Sequence, residues 1–376
     1  MMKHTSKFLV LLSCLFVLAC QPKEAEPKAP KKVILLVSDG TGLSQISSAY
    51  FYKEGEPNYT RFENFGFIKT SSSQEDVTDS AAGATAFASG VKTYNGAIGM
   101  TPDSVAVPTI VELVQDKKVK TGVVATSSIQ HATPASFYGH RVTRRVYEEL
   151  SEDLYNSDID FFAGGGLQFF TKRKDSVNLL KKIEEKGFYM NTDSLTSYEQ
   201  VKGKSKVGFL LADNAMPKIQ EGRGDFLSNA AQLGIDFLSN DNGFFLMVEG
   251  SQIDWGGHAN DADYTVAELL DFDKMLGKVL DFAEKDGNTL VVVVSDHETG
   301  GFTLASKTVE LESGLKYSDY SEIEISFSTG GHSASLIPVF AFGPGAEKFR
   351  SLLLHNAALF SHFSAVFIFN CHFVSL

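Results

Sequence analysis

Cysteine is scarce in this chain, with three among 376 residues. Cys14 and Cys20 fall in the N-terminal stretch and Cys371 near the other end, which leaves no disulfide framework to hold the fold. Stability must come chiefly from an apolar core. A surplus of positive charge is absent too: Lys and Arg number 34 against 46 Asp and Glu, a formal −12. With no basic tract besides, a nonspecific grip on nucleic acid is excluded as the main role. No apolar run is long enough to span a bilayer comfortably, and no internal repeat is evident. What is present is a globular inventory, with 43% hydrophobic residues on a chain long enough for one large domain or two ordinary ones.

Lys3 and Lys7 precede the apolar residues 8–18, the charged region and short apolar region of an export signal. The run ends in Val17-Leu18-Ala19-Cys20, which resembles a bacterial lipobox, where the cysteine becomes the lipidated first residue after cleavage. An ordinary signal peptide that contains a cysteine is the alternative. The expectation is a lipoprotein signal peptide over residues 1–19, lipidation at Cys20, and a disordered tether over 20–31, rich in Pro, Lys, Glu and Ala. It implies an exported protein, lipid-anchored to the membrane of the cell envelope on the periplasmic side or at the cell surface, and not spanning it.

Residues 32–37, 120–126, 243–248 and 289–294 are continuous apolar runs, as in strands buried on both faces of a parallel sheet. Residues 158–166 and 206–211 read as further strands, and 65–70 as a short one. Helices are expected over 43–53, 80–90, 107–115 and 224–239, with Pro134 opening another. Residues 261–285 carry Val266, Leu269, Leu270, Met275, Leu276, Val279 and Leu280 at the helical period. Residues 171–204 read as helix and surface loop. This alternation predicts an α/β fold, a three-layer α/β/α sandwich with a central, mostly parallel sheet, over residues 32–350.

In open α/β sheets, ligands collect at the carboxyl ends of the strands. Asp39 follows the first run, His131 and Thr133 the second, Glu249, Asp254 and His258 the third, and Asp296 and His297 the fourth. His332 stands just ahead of the apolar residues 336–343. Ser80 opens an Ala/Gly-rich helix behind Asp79, a good cap, and the helix start favours an anion or an oxygen losing its proton. Each residue alone has an ordinary explanation as a cap or a core side chain. Their recurrence at separate strand ends points to one metal cluster. His with Asp suits zinc, while Asp, Glu and Thr oxygens suit magnesium. Two zinc ions ~4 Å apart would activate Ser80 and stabilise the entering and leaving oxygens. One of Arg141, Arg144 and Arg145 would clamp the other oxygens of a tetrahedral anion, unless the three form only a solvated basic face.

Residues 78–82, 248–258 and 295–297 together resemble the bacterial alkaline phosphatases, and the resemblance runs from about Lys31 to Glu347. It implies that family's fold and the hydrolysis of small phosphate monoesters at alkaline pH through a phosphoserine on Ser80. A broad substrate range is expected, since no segment is devoted to the leaving group. By similarity, Asp254, His258 and His332 hold one zinc, Asp39, Asp296 and His297 the second, and Asp39, Thr133 and Glu249 a magnesium. Arg144 has the family's spacing for the phosphate clamp, and a homodimer is implied as the family's usual state. His131 and Trp255 stand where the enterobacterial pattern has aspartate and lysine, and they resemble the cold-adapted and marine branch. A neutral imidazole is a poor magnesium partner, so the third site is expected to be weak or exchangeable. Related readings are a phosphodiesterase or sulfatase of the same superfamily, or a phosphate-binding lipoprotein without turnover. Ser80, Thr133 and Glu249 argue against the first two, and a nucleophile at a helix start against the last. Residues 351–376 form an apolar tail with no Asp, Glu, Lys or Arg from 357 onward, unlike the polar-faced helix that ends most family members. A buried edge element, a natural variant and a frameshifted ending remain open readings of it.

Overall fold

The apolar runs come together as one ten-stranded sheet in a computed structural model that describes residues 30–350, 352–353 and 356–368. The signal peptide, Cys20 and nearly all of the tether lie outside the described residues. In chain order the strands are β1 (Lys32–Ser38), β2 (Asn64–Ile68), β3 (Lys120–Ser128), β4 (Phe161–Gly165), β5 (Phe188–Asn191), β6 (Lys206–Leu210) and β7 (Phe244–Gly250). They continue with β8 (Thr289–Val294), β9 (Glu298–Thr299), β10 (Phe302–Glu310), β11 (Lys316–Phe327), β12 (His332–Ser333), β13 (Ile337–Phe342) and β14 (Leu352–Leu353). The sheet order is β14-β2-β13-β8-β1-β7-β3-β4-β6-β5.

Every neighbouring pair is parallel except the two made by β13, which runs against both β8 and β2. The reversal brings the start of β13 to the rim where the other strands end, and with it the preceding His332. Residues alternate faces along a strand. Val33, Leu35 and Val37 therefore pack with Phe87 of the Ser80–Ser89 helix on one side. Ile34 and Leu36 pack with Phe272 and Leu276 of the Ala262–Asp286 helix on the other. This is the expected layering, helix, sheet and helix. Among the described residues no helix is long and apolar enough to cross a membrane.

Local departures have local causes. Residues 171–204 include β5, which pairs with β6 at the sheet edge; four residues, three of them only half-buried, leave no continuous apolar signal. The 107–115 helix starts only at Ile110, because Thr109 and Glu112 close a capping box behind Pro108. The helix expected to open at Pro134 opens at Ala132, with His131 as its cap, so Thr133 lies in its first turn. Proline is tolerated there because the first-turn N–H groups have no helical partner. β10 and β11 form an antiparallel hairpin apart from the main sheet, one face half-buried and the other exposed, with too few apolar residues on the half-buried face to stand out in the sequence.

The tail is a docked element as far as it is described. β14 pairs with β2, and the Ala357–Ile368 helix lies against the Ser80–Ser89 and Ile110–Gln115 helices. Ala357 is buried and Leu359 wholly so. The sheet therefore continues past residue 350, and these residues belong to the same packed unit. Leu359→Ala is expected to lower unfolding stability by about 2–4 kcal/mol, read from the urea midpoint; no change would mean the helix is not docked in solution.

Candidate active site

Ser80 is the first residue of its helix. Asp79 precedes it in an extended conformation, and one Asp79 oxygen accepts the Ala82 N–H at 3.0 Å. Its other oxygen accepts from Arg144 Nη1 at 3.0 Å. Arg141 turns away to Asp153, and Arg145 faces solvent, so Arg144 is the arginine that reaches the Ser80 turn. The small residues of the helix are needed for close approach. A Cβ on Gly83 would lie 2.8 Å from Asp296 Cβ, directly beyond β8. Ser80 is thereby buried at the rim, its Oγ 3.2 Å from His297 Nε2.

Asp254 and His258 lie four residues apart on the Gln252–Ala259 helix and share a face, with His258 Nε2 3.5 Å from Asp254 Oδ1. His332 Nε2 completes this group at 3.7 Å from Asp254 Oδ1 and 3.2 Å from His258 Nε2. The Nδ1–H of His258 donates to the Gly330 carbonyl and that of His332 to the Thr78 carbonyl, each at 2.8 Å. A carbonyl only accepts, so each ring carries a proton on Nδ1, and in the neutral form each turns its Nε2 lone pair toward the other ring and a carboxylate. Such a triangle is relieved by a cation at its centre.

A second group joins Asp39, Asp296 and His297, whose Nε2 lies 3.6 Å from Asp39 Oδ1 and 3.3 Å from Asp296 Oδ2. His297 is also within ligand reach of Asp254 and His332, so it stands at the junction of the two groups. Beside these contacts, Thr133 Oγ1, Glu249 Oε1, Asp296 Oδ2, His131 Nδ1 and both Asp39 oxygens are buried without a hydrogen-bond partner. A single buried atom left unpaired costs about 1–3 kcal/mol. Six around one rim fit the donors of bound cations. The His131 ring packs edge-on to Trp255, 5.7 Å between centroids.

Burial raises the Asp39 pKa well above the usual carboxylate range, and the charges of Asp296, Asp254 and Glu249 add to it. Burial likewise raises Asp296 and pushes Glu249 up to about 7. It holds His297 neutral, with His332 adding to the effect, and lowers His131 to about 3 with the help of Arg144. Asp39, Asp296 and Glu249 therefore favour protons until a metal displaces them. The structure brings all the expected site residues of the folded domain to this rim. What the sequence hid was the second role of Asp79, legible only as a cap, and the Thr78 and Gly330 carbonyls, which carry no side-chain signal.

Lone pairs that conflict unless a cation lies among them, set beside a serine hydroxyl at a helix start, mark a metal-binding hydrolase. The alkaline phosphatase family profile matches residues 30–324, and the chain belongs to that family. It is 32% identical to alkaline phosphatase 3 of Bacillus subtilis, across 88% of each chain. With the alkaline phosphatase of Escherichia coli it shares 30% identity, across 85% of this chain and 83% of that one. The solved alkaline phosphatase of the Antarctic bacterium TAB5 matches with a TM-score of 0.88 and 58% identity, across 91% of this chain and 98% of that one. A TAB5 variant with one histidine changed to aspartate, solved with magnesium in its M3 site, matches at 0.89 and 59%, across 91% of this chain and 99% of that one. The protein is an alkaline phosphatase that hydrolyses phosphate monoesters, and the diesterase, sulfatase and binding-protein readings give way to that.

The raised Glu249 pKa has a direct consequence for the metal-free fold. A carboxyl pushed up to about 7 when folded, against an ordinary 4.5, stabilises the fold below about 4.5 and loses that contribution as pH rises through about 7. Scanning calorimetry of chelated protein should show Tm falling across that window, and added zinc should raise Tm more at about pH 8 than at about pH 5. A metal-free Tm that rises with pH there would contradict the protonated-carboxylate description.

Proposed function

We propose that Ser80 is the nucleophile and that Arg144 orients the phosphate. The observation that carries this is the Ser80 hydroxyl at a helix start, 3.2 Å from His297 Nε2, with Arg144 tethered to the same turn through Asp79. Ser80 Oγ gives up its proton to solvent and forms a bond to phosphorus as the ester P–O bond breaks in line. The leaving oxygen then takes a proton from solvent. A water oxygen attacks the phosphoserine from the vacated side, the P–Oγ bond breaks, and Ser80 recovers a proton as phosphate departs. Arg144, with one N–H held by Asp79, offers its remaining N–H groups in a fixed plane to the oxygens that do not react. The positive end of the helix favours both the serine oxyanion and the bound phosphate.

Zinc held by Asp254, His258 and His332, a second zinc held by Asp39, Asp296 and His297, and magnesium held by Asp39, Thr133 and Glu249 would lower the Ser80 pKa and neutralise charge on the reacting oxygens. The partnerless carboxylate and threonine oxygens support these sets. His131 is neutral and brings no anion to the third group, and Trp255 brings no cation to the phosphate. Magnesium is therefore held weakly. The TAB5 variant that binds magnesium after a histidine-to-aspartate change supports this reading. Because recognition is aimed at the phosphate, the substrate range is broad, and the optimum is alkaline. The chain is exported and anchored through lipid on Cys20, on the periplasmic side or at the cell surface, with 20–31 as tether. The lipobox-like ending of residues 8–20 supports this. The domain is a homodimer, as the family resemblance implies.

The chain lacking residues 1–20 should hydrolyse a chromogenic phosphate monoester at alkaline pH, lose activity on chelation, and run as a dimer by light scattering. Ser80→Ala should lower turnover more than about a thousandfold while keeping its zinc. Unchanged turnover in that variant would remove the serine mechanism. Zinc alone restoring as much activity as zinc with magnesium would contradict the magnesium requirement, and His131→Asp should tighten magnesium about tenfold or more. Fatty-acid labelling of the full chain in bacteria should vanish with Cys20→Ala; persistent labelling would sink the anchor.

A further inference from the structure

Thr299 belongs to none of the ligand sets, yet it touches both metal groups. It is wholly buried at the end of β9. Its Oγ1 donates to Asp254 Oδ1 and lies 3.2 Å from His297 Nδ1. A hydroxyl has one hydrogen, and a carboxylate in a metal site only accepts. The Thr299 proton therefore goes to Asp254, and the Thr299 oxygen is left to accept from His297 Nδ1–H. That hydrogen bond commits the His297 lone pair to Nε2, the atom facing Ser80, Asp39 and Asp296. One short side chain thus turns a carboxylate of the first group and fixes the tautomer of an imidazole in the second.

The backbone of Thr299 is held just as firmly. Its N–H donates to the Gly40 carbonyl at 3.0 Å, directly after Asp39, and its carbonyl accepts from Gln45 Nε2 at 3.0 Å. Across the short β9–β12 ladder it is in register with His332. Gly257 leaves room for this contact, since a Cβ there would lie 2.8 Å from the Thr299 carbonyl oxygen. The chain at Thr299 is therefore braced against the segments carrying Asp39, His332 and His258, while its hydroxyl reaches Asp254 and His297.

We infer that Thr299 is a positioning residue that sets both metal centres together through this shared hydroxyl. The inference rests on the ligand sets proposed above. It is tested on the metal-loaded full chain by competing zinc away with a chelator of known affinity, alongside elemental analysis. Thr299→Val keeps the shape and deletes the hydroxyl, and should weaken both zinc sites about 10- to 100-fold. Thr299→Ser keeps the hydroxyl and should stay within about threefold of wild type on the same scale. Wild-type zinc affinity in the valine variant, or weakening at one site alone, overturns the shared role. So does a lowered metal-free Tm with zinc affinity intact, the mark of a merely structural hydroxyl. Thr299→Ala repeats the comparison should the valine variant not fold. A wild-type chain that holds no zinc would remove the ligand sets themselves, and this role with them.

Discussion

Asp39, Asp296 and Glu249 lie together at the rim of the sheet, wholly out of water, where burial raises the proton affinity of each carboxyl. Buried carboxylates that face one another without countercharge are among the costliest arrangements a fold can hold. Little in the described polypeptide relieves it: burial holds His297 and His131 neutral, and the Arg144 charge, which does favour the ionised Asp296, is shared with Asp79. The arrangement makes sense as half of a structure whose other half is cationic. The chemistry that defines the family draws on the same conflict, because charge brought in to satisfy these oxygens is also the charge that can activate a serine and stabilise a phosphoryl group.

The rest of the architecture keeps that conflict in place. β8, β1 and β7 are hydrogen-bonded side by side in that order, so Asp39 leaves the sheet between Asp296 and Glu249, one strand spacing from each. Apolar residues on both faces hold these strands with no freedom to drift apart. The reversed β13 adds His332 from the opposite chain direction. Glycine at position 83 lets the serine helix close on the end of β8, and Asp79 fastens both the helix start and Arg144. Around the candidate ligands lie the Gly330 and Thr78 carbonyls and the Thr299 hydroxyl, each against the Nδ1 of one histidine, so that Nε2 faces inward.

How much of this was legible in the sequence follows from the range over which each signal acts. The central strands are runs of Val, Ile, Leu and Phe whose burial on both faces dictates their composition, so they could be read directly. The 25-residue Ala262–Asp286 helix could be read for the same reason, through its apolar period. β5 and the β10–β11 hairpin could not, because short or solvent-exposed strands have no composition of their own. Asp39, Glu249, Asp296 and His297 were legible as candidates because each follows a buried strand, and a polar residue at that point is a chemical statement.

The sequence by itself determined most of the elements, the layering and the inventory of candidate ligands and nucleophile, because those depend on residue type and local period. Residue type could not separate the three arginines and only family resemblance favoured Arg144; the tertiary structure shows the physical difference, Arg141 meeting Asp153 and Arg144 meeting Asp79 beside Ser80. It shows how His332, grouped with Asp254 and His258 until then only by resemblance, is brought to them through the direction of a single strand, and it alone shows that Thr299 touches both groups. Those outcomes rest on contacts between residues up to 254 positions apart. Distances across such separations are set by packing, and no local pattern encodes them.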